Sequence, residues 1–170
     1  MRTGDVIIWD AANERDILAV RDLWREYWES FGLPLDFQGF GEELRGLPGL
    51  YGAAGGALLL AVHDDEPAGT IALRRLDAAA GEVKRLYLRP KYRGQGLGRR
   101  LLEAVMERAV AIGYERLYAD TLPQMLEAVS LYERAGFERI DAYSDTPTPG
   151  AIYLKRELVK PRSGRAGDAL

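Results

Sequence analysis

A chain of 170 residues, 47% apolar and 29% charged, has the composition of one soluble globular domain. At that size it buries roughly 70% of its unfolded surface. The formal net charge of −3 and the lack of a long basic run give no electrostatic case for a nucleic-acid partner. Cysteine is absent and His63 is the lone histidine. This excludes disulfides, thiolate metal sites, metal clusters built from several histidines and any route that parks an acyl group on an enzyme cysteine. No apolar run reaches membrane-spanning length and Met1–Asp5 lacks a signal-peptide stretch, so a cytoplasmic enzyme with no membrane partner is the expectation.

Val6–Trp9 reads as a first strand. Asn13 offers an N-cap, with Asp16 three residues on, and Ile17, Val20, Trp24, Tyr27, Trp28 and Phe31 follow at helical spacing until Gly32 and Pro34 stop the helix. Phe37–Leu44 predicts a second short helix, and the glycine-rich stretch from Gly46 to Gly56 a loop. Ala57–Val62 and Gly69–Leu76 read as strands joined across His63-Asp64-Asp65-Glu66-Pro67, where His63 is expected at the surface. A turn at Asp77–Gly81 leads into a strand Glu82–Leu88, which Pro90 ends.

The clearest helix starts near Gln95, with Leu97, Leu101, Leu102, Val105, Ala109 and Ile112 as its apolar stripe and Gly113 as its left-handed stop. Arg116–Asp120 is a short strand, and Pro123 suits the first turn of a helix that runs to Ala135, with Gly136 as its stop. Glu138–Tyr143 and Ile152–Leu158 are the last strands, separated by the proline-rich loop Ser144–Gly150. Residues 161–170 turn polar without periodicity and read as a disordered tail. The order β-α-α-β-β-β-α-β-α-β-β predicts a single α/β (α+β) domain around one mixed sheet.

Chemistry concentrates at Arg93-Gly94-Gln95-Gly96-Leu97-Gly98. A strand, a turn and glycines entering a helix make a nest of free backbone N–H groups beside the positive end of the helix dipole, where a diphosphate can approach closely. Arg93 and Arg99 add positive charge. No Gly-Lys-Ser/Thr follows, so it is not a P-loop, and Arg99 stands where a dinucleotide fingerprint needs its third glycine.

Arg93-x-x-Gly96-x-Gly98 resembles the R/Q-x-x-G-x-G/A pyrophosphate motif of the GNAT acetyltransferases. Val83–Pro90 is similar to the strand before that motif in the family, and Asp120-Thr121-Leu122-Pro123 and Leu131-Tyr132-x-x-x-Gly136-Phe137 resemble segments on its C-terminal side in many members. The resemblance spans residues 4–158 in element order and is specific from Glu82 to Phe137. It implies a GNAT-like fold with a mixed, mostly antiparallel sheet of about seven strands flanked by helices, acetyl-CoA as cosubstrate, and transfer to a primary amine of a small molecule or peptide by a monomer or homodimer. It places the diphosphate on residues Arg93–Arg99 and the pantetheine arm along the backbone of Leu86, Tyr87 and Leu88, with the Leu88 N–H as oxyanion donor. Tyr132 falls where the family has the phenol that protonates the departing thiolate; packing in the core beside Val129 and Met125 is the other reading. Glu82 lines up with a general base of some members, or is a solvated turn carboxylate after Gly81. Asp120 and Asp145 are weaker candidates for base or acceptor contact. Glu127 stands where many relatives carry an asparagine that contacts coenzyme A. Trp24, Tyr27, Trp28 and Phe31 either pack the first helix on the sheet or wall the acceptor pocket, and Asp36, Glu42, Glu43 and Asp145 would suit a cationic amine. A GNAT-like module that binds acyl-CoA as a sensor with little turnover is the alternative.

Overall fold

The computed structural model describes residues 4–32, 39–145 and 147–158. Its elements follow the expected order: β1 (Val6–Asp10), α1 (Glu14–Glu29), α2 (Phe40–Arg45), β2 (Ala57–His63), β3 (Glu66–Arg75), β4 (Ala80–Leu88), α3 (Leu97–Ile112), β5 (Arg116–Thr121), α4 (Leu126–Arg134), β6 (Glu138–Ile140) and β7 (Ile152–Glu157). The strands form one seven-stranded sheet in the order β1-β2-β3-β4-β5-β7-β6. Every neighbour is antiparallel except β4 and β5, which are joined through α3 and run parallel.

The sheet carries a core on each face. On β2, Ala57, Leu59 and Ala61 belong to one cluster with Leu101, Leu102 and Val105 of α3, while Leu58, Leu60 and Val62 belong to the other with Val20, Leu23, Trp24 and Trp28 of α1. This is the period-two alternation of a strand covered on both sides, which leaves β2 with no polar face. Asn13 accepts the Asp16 amide at 2.9 Å as the N-cap of α1. Asp64 and Asp65 both have positive φ, which makes the β2–β3 connection a two-residue turn of the hairpin type with strands extending to His63 and Glu66.

Three elements, α3, α4 and β6, differ most from the sequence reading. α3 begins at Leu97, because Gly94 and Gly96 both take left-handed conformations and hold Gln95 in the loop. Ile112 of its stripe is exposed; the left-handed Gly113 instead turns Tyr114 back on to the sheet, where its hydroxyl donates to the Gly55 carbonyl at 2.5 Å. Pro123 lies in a turn closed by the Met125 amide on the Leu122 carbonyl, and α4 starts three residues later at Leu126. β6 stops at Ile140, whose pairing with Tyr153 is the last between β6 and β7. The predicted helix residues Phe37 and Gln38, Asp36, and the tail 161–170 lie outside the described residues.

Two local features position the site. β4 pairs with β5 only from Ala80 to Val83, and from Lys84 onward the strands part, which leaves Lys84–Leu88 paired on the β3 side alone. Within that stretch Thr70 pairs with Tyr87 and Ala72 with Lys84, so two residues of β4 oppose one of β3: a bulge, with Arg85 at φ 57°. A non-glycine residue there costs on the order of 1–2 kcal/mol. The extra residue resets the alternation, so Val83, Leu86 and Leu88 pack towards α3 while Arg85 and Tyr87 meet α1.

Candidate active site

At the end of β4 the chain passes through a short helical turn, Pro90–Tyr92, into the glycine loop. The first helical hydrogen bond of α3 runs from the Arg100 amide to the Gly96 carbonyl. No side chain caps the helix, so the amides of Leu97, Gly98 and Arg99 meet no helical acceptor. A Cβ built on Gly94 or Gly96 would meet nothing within 4 Å, so the space over both residues is open. Gly98 is confined instead: a Cβ there would stand 3.2 Å from Leu131 Cδ2 and 3.5 Å from Leu88 Cδ1. The end of β4, the start of α3 and the middle of α4 thus converge on one small residue.

Arg93 folds back over this junction, its Nε donating to the Leu88 carbonyl at 3.0 Å and its guanidinium 5.6 Å from the Tyr87 ring centre. Gln95 Nε2 donates to the Lys91 carbonyl. Arg99 is exposed and pairs with Glu103 one turn on at 3.4 Å. The Arg89 amide donates to Ala68 of β3, so by strand alternation Leu88 turns its N–H to the open side, while Tyr87 is paired with Thr70 and turns its backbone to β3.

Tyr132 is the neighbour of Leu131 in α4 and is buried, its ring edge-to-face with Phe137 at 5.2 Å. Its hydroxyl has no hydrogen-bond partner among the described residues, yet it is not one of the side-chain atoms sealed from solvent without a partner. Burial, then the nearby Tyr27, Asp120 and Glu82, push this phenol well above its ordinary value, so it is a proton donor at neutral pH. Core packing and a hydroxyl with no partner among the described residues therefore coexist.

Glu82 is not a solvated turn carboxylate. It is 2% exposed, accepts from Arg74 Nε and from the Tyr143 hydroxyl at 2.7 Å each, and lies 3.6 Å from Lys84 Nζ. Tyr143 sits edge-on between Tyr118 and Tyr153, and burial followed by the charge of Glu82 drives its pKa far up. Sequence reasoning placed Tyr143 at the end of a strand and gave it no role in the chemistry; its pairing with a carboxylate 61 residues away has no local signature. Asp120, on the β5 side of the split, accepts from Lys84 Nζ at 2.9 Å. Asp145 and Glu127 are exposed. His63 lies beside Tyr92, with Nδ1 3.5 Å from Asp64.

On the α1/α2 side a cavity of about 400 Å³ is lined by Glu43, Pro48, Leu50, Tyr51, Arg74, Lys84 and Arg85, among others. A smaller recess of about 30 Å³, bounded by Tyr27, Lys84, Asp120 and Leu122, joins the parted strands to the same Lys84–Arg85 corner. Trp24, Tyr27 and Trp28 pack α1 on the sheet, and Trp24, Trp28 and Phe40 also stack around the Arg85 guanidinium at 5.2–5.9 Å. Arg85 Nη2 donates to Glu43 at 2.7 Å, and the Tyr51 hydroxyl donates to the same carboxylate. Burial alone would raise Glu43, but the Arg85 charge and both hydrogen bonds outweigh it and hold the carboxyl below its ordinary value of 4.5.

A carboxyl that is more acidic in the folded chain than in the unfolded one contributes stability above the unfolded value, and that contribution fades as pH falls through the folded one. The unfolding free energy should therefore decline as pH drops below about 4.5, and Glu43→Gln should flatten that decline. Urea midpoints of the two proteins between pH 6 and pH 3 measure the difference; parallel curves would deny Glu43 this role.

Among the described residues no helix is long and apolar enough to cross a membrane. The model of the family described as "Acetyltransferase (GNAT) family" matches residues 17–137. An uncharacterized N-acetyltransferase of Schizosaccharomyces pombe is 32% identical over 162 residues, which cover 94% of this chain and 99% of that one. An IAA acetyltransferase of Azospirillum brasilense is 33% identical over 79 residues, 46% of this chain and 52% of that one. The fold is shared with a GNAT-family acetyltransferase of Staphylococcus aureus, at a TM-score of 0.78 and 22% identity over 91% of this chain and all of that one. With its family motif now seen as an uncapped helix start beside an open strand edge, this chain belongs to the GNAT acetyltransferases.

Proposed function

We propose that the protein transfers an acetyl group from acetyl-CoA directly to a primary amine, with both substrates bound at once. The observation that carries this reading is the convergence at Gly98: the open edge of β4, the uncapped start of α3 and Leu131 of α4, the chain neighbour of Tyr132, meet there. The amides of Leu97, Gly98 and Arg99 would hold the diphosphate, with Arg93 beside them. The pantetheine arm would then run along Leu86 and Leu88, where β4 has lost its neighbour.

Each step draws on what the groups at this junction can do. The amine lone pair forms the C–N bond, and the carbonyl oxygen gathers negative charge, which the Leu88 N–H stabilises. The C–S bond breaks, and the thiolate takes the proton of Tyr132. The ammonium proton leaves through the Tyr143 hydroxyl to Glu82, the buried carboxylate on the opposite side of β4 from α3. The absence of cysteine supports direct transfer over a ping-pong route.

Release of free thiol from acetyl-CoA, followed across amino acids, polyamines, aminoglycosides and peptide amino termini, tests the reading. Turnover with at least one amine and calorimetric binding of acetyl-CoA in its absence are the expected results. Binding without turnover of any amine would favour a sensor module; no binding would remove the reading altogether.

A further inference from the structure

Acidic residues near the amino end suggest a pocket for a cationic amine, but the cavity on the α1/α2 side is built the other way. Its lining carries three cations, Arg74, Lys84 and Arg85, against one carboxylate, Glu43. Glu43 is itself committed to Arg85 and Tyr51. Glu82 and Asp120 pair with Arg74 and Lys84 without lining this cavity.

Arg85 is the best-prepared of the three. The bulge of β4 aims it out of the strand next to Lys84, and three aromatic rings and Glu43 hold its orientation. Yet a guanidinium offers five N–H donors, and Glu43 accepts from one. The two sealed side-chain polar atoms without a partner among the described residues are Arg85 Nε and Trp24 Nε1, and the Trp24 ring centre is 5.9 Å from the Arg85 guanidinium carbon. Both groups can only donate, and both atoms are shut off from solvent, so a ligand in the cavity would meet the remaining N–H groups of the Arg85 guanidinium rather than these two. Pro48 and Leu50 supply an apolar wall, and such surroundings strengthen a guanidinium–oxyanion pair.

We propose that the acceptor amine carries an oxyanion, a carboxylate or a phosphate, which this cavity binds through Arg85 with Arg74. An α-amino acid is the simplest member of that class. The inference rests on the acetyltransferase reading and adds the acceptor's second functional group to it. A carboxylate meets the planar guanidinium fork through two parallel hydrogen bonds, which a neutral amide does not match. The preference is opposite to the trend of intrinsic reactivity, since an α-amide has the less basic amine and presents more of it unprotonated at neutral pH.

The test uses acetyl-CoA with matched pairs: L-methionine and L-phenylalanine beside their α-amides, and O-phosphoethanolamine beside ethanolamine. The charged member of a pair should be favoured at least about tenfold in kcat/KM, mainly through KM. Whichever pair shows the larger ratio distinguishes carboxylate from phosphate. Arg85→Met, and separately the more exposed Arg74→Gln, should bring the ratio towards one. Calorimetry of acetyl-CoA with each variant reports whether the cofactor side is intact, and Arg74→Gln carries the test if Arg85→Met fails to fold. Neutral members reacting as well as charged ones, or a ratio that survives in Arg74→Gln and in folded Arg85→Met, would overturn the proposal. So would acetyl-CoA binding with no charged acceptor turned over, which leaves the cofactor reading standing. Loss of acetyl-CoA binding in the unaltered protein would remove both.

Discussion

Tyr132→Phe is expected to lower kcat by about 100-fold or more while leaving acetyl-CoA affinity within a few-fold of the unaltered protein, because general acid catalysis contributes roughly 10²–10⁴. The substitution is close to isosteric. Phenylalanine keeps the edge-to-face contact with Phe137, and no hydrogen bond to a described residue is lost with the hydroxyl. Stability should therefore change little, which separates a chemical defect from a folding one. Burial holds the phenol above its ordinary value of 10.0, so ionisation of Tyr132 removes no activity at any pH up to about that value.

The leaving group offers a second handle on the same residue. A departing alkyl thiolate, with an ordinary pKa near ~8.5, gains from a proton donor. An acyl thioester whose thiol is more acidic needs that donor less, so the Tyr132→Phe defect should shrink with it. Single-turnover rates with acetyl-CoA and with an acetylated aromatic thiol measure this. Equal defects with both donors would make Tyr132 a positioning residue, and an unchanged kcat, with chemistry rate-limiting, would remove it from the reaction.

The parts of this molecule that local patterns encode are legible in the sequence. Asn13 caps α1, Gly113 and Gly136 end α3 and α4, and the alternation of β2 and β3 places them in the sheet. The glycine loop is readable because Gly94 and Gly96 have to adopt positive φ where the chain enters α3. Pairings across the chain are not readable. Nothing near Glu82 announces Tyr143, and nothing near Glu43 announces Arg85, 42 residues on. The bulge that turns Arg85 to the α1 side breaks the period-two rule that otherwise governs Val83–Leu88, so its charge is invisible as part of a pocket. Acidic residues counted along the chain suggest a negative acceptor site, whereas in space the charge of Glu43 is spent on Arg85.

Gly96→Asp separates the anion-binding role of the α3 start from its structural one. The residue has φ 80° and ψ 4°, a conformation that aspartate tolerates at a cost on the order of 1–2 kcal/mol. Its side chain would enter open space, since a Cβ there meets nothing within 4 Å. A carboxylate at the positive end of a helix is stabilising by roughly 0.3–1 kcal/mol, which offsets part of the strain. The net loss of stability should thus stay below about 2 kcal/mol. The same carboxylate would compete for the amides of Leu97, Gly98 and Arg99 and would repel a diphosphate brought to them. Acetyl-CoA affinity should fall by about 100-fold or more, and the loss should ease as salt screens the repulsion. Gly96→Ala keeps most of the backbone strain without the charge, so its loss of affinity should be smaller and insensitive to salt. Calorimetric titrations of both variants at two ionic strengths make the comparison. Equal losses in the two would assign Gly96 to backbone geometry alone, and affinity unchanged in Gly96→Asp would place the diphosphate elsewhere.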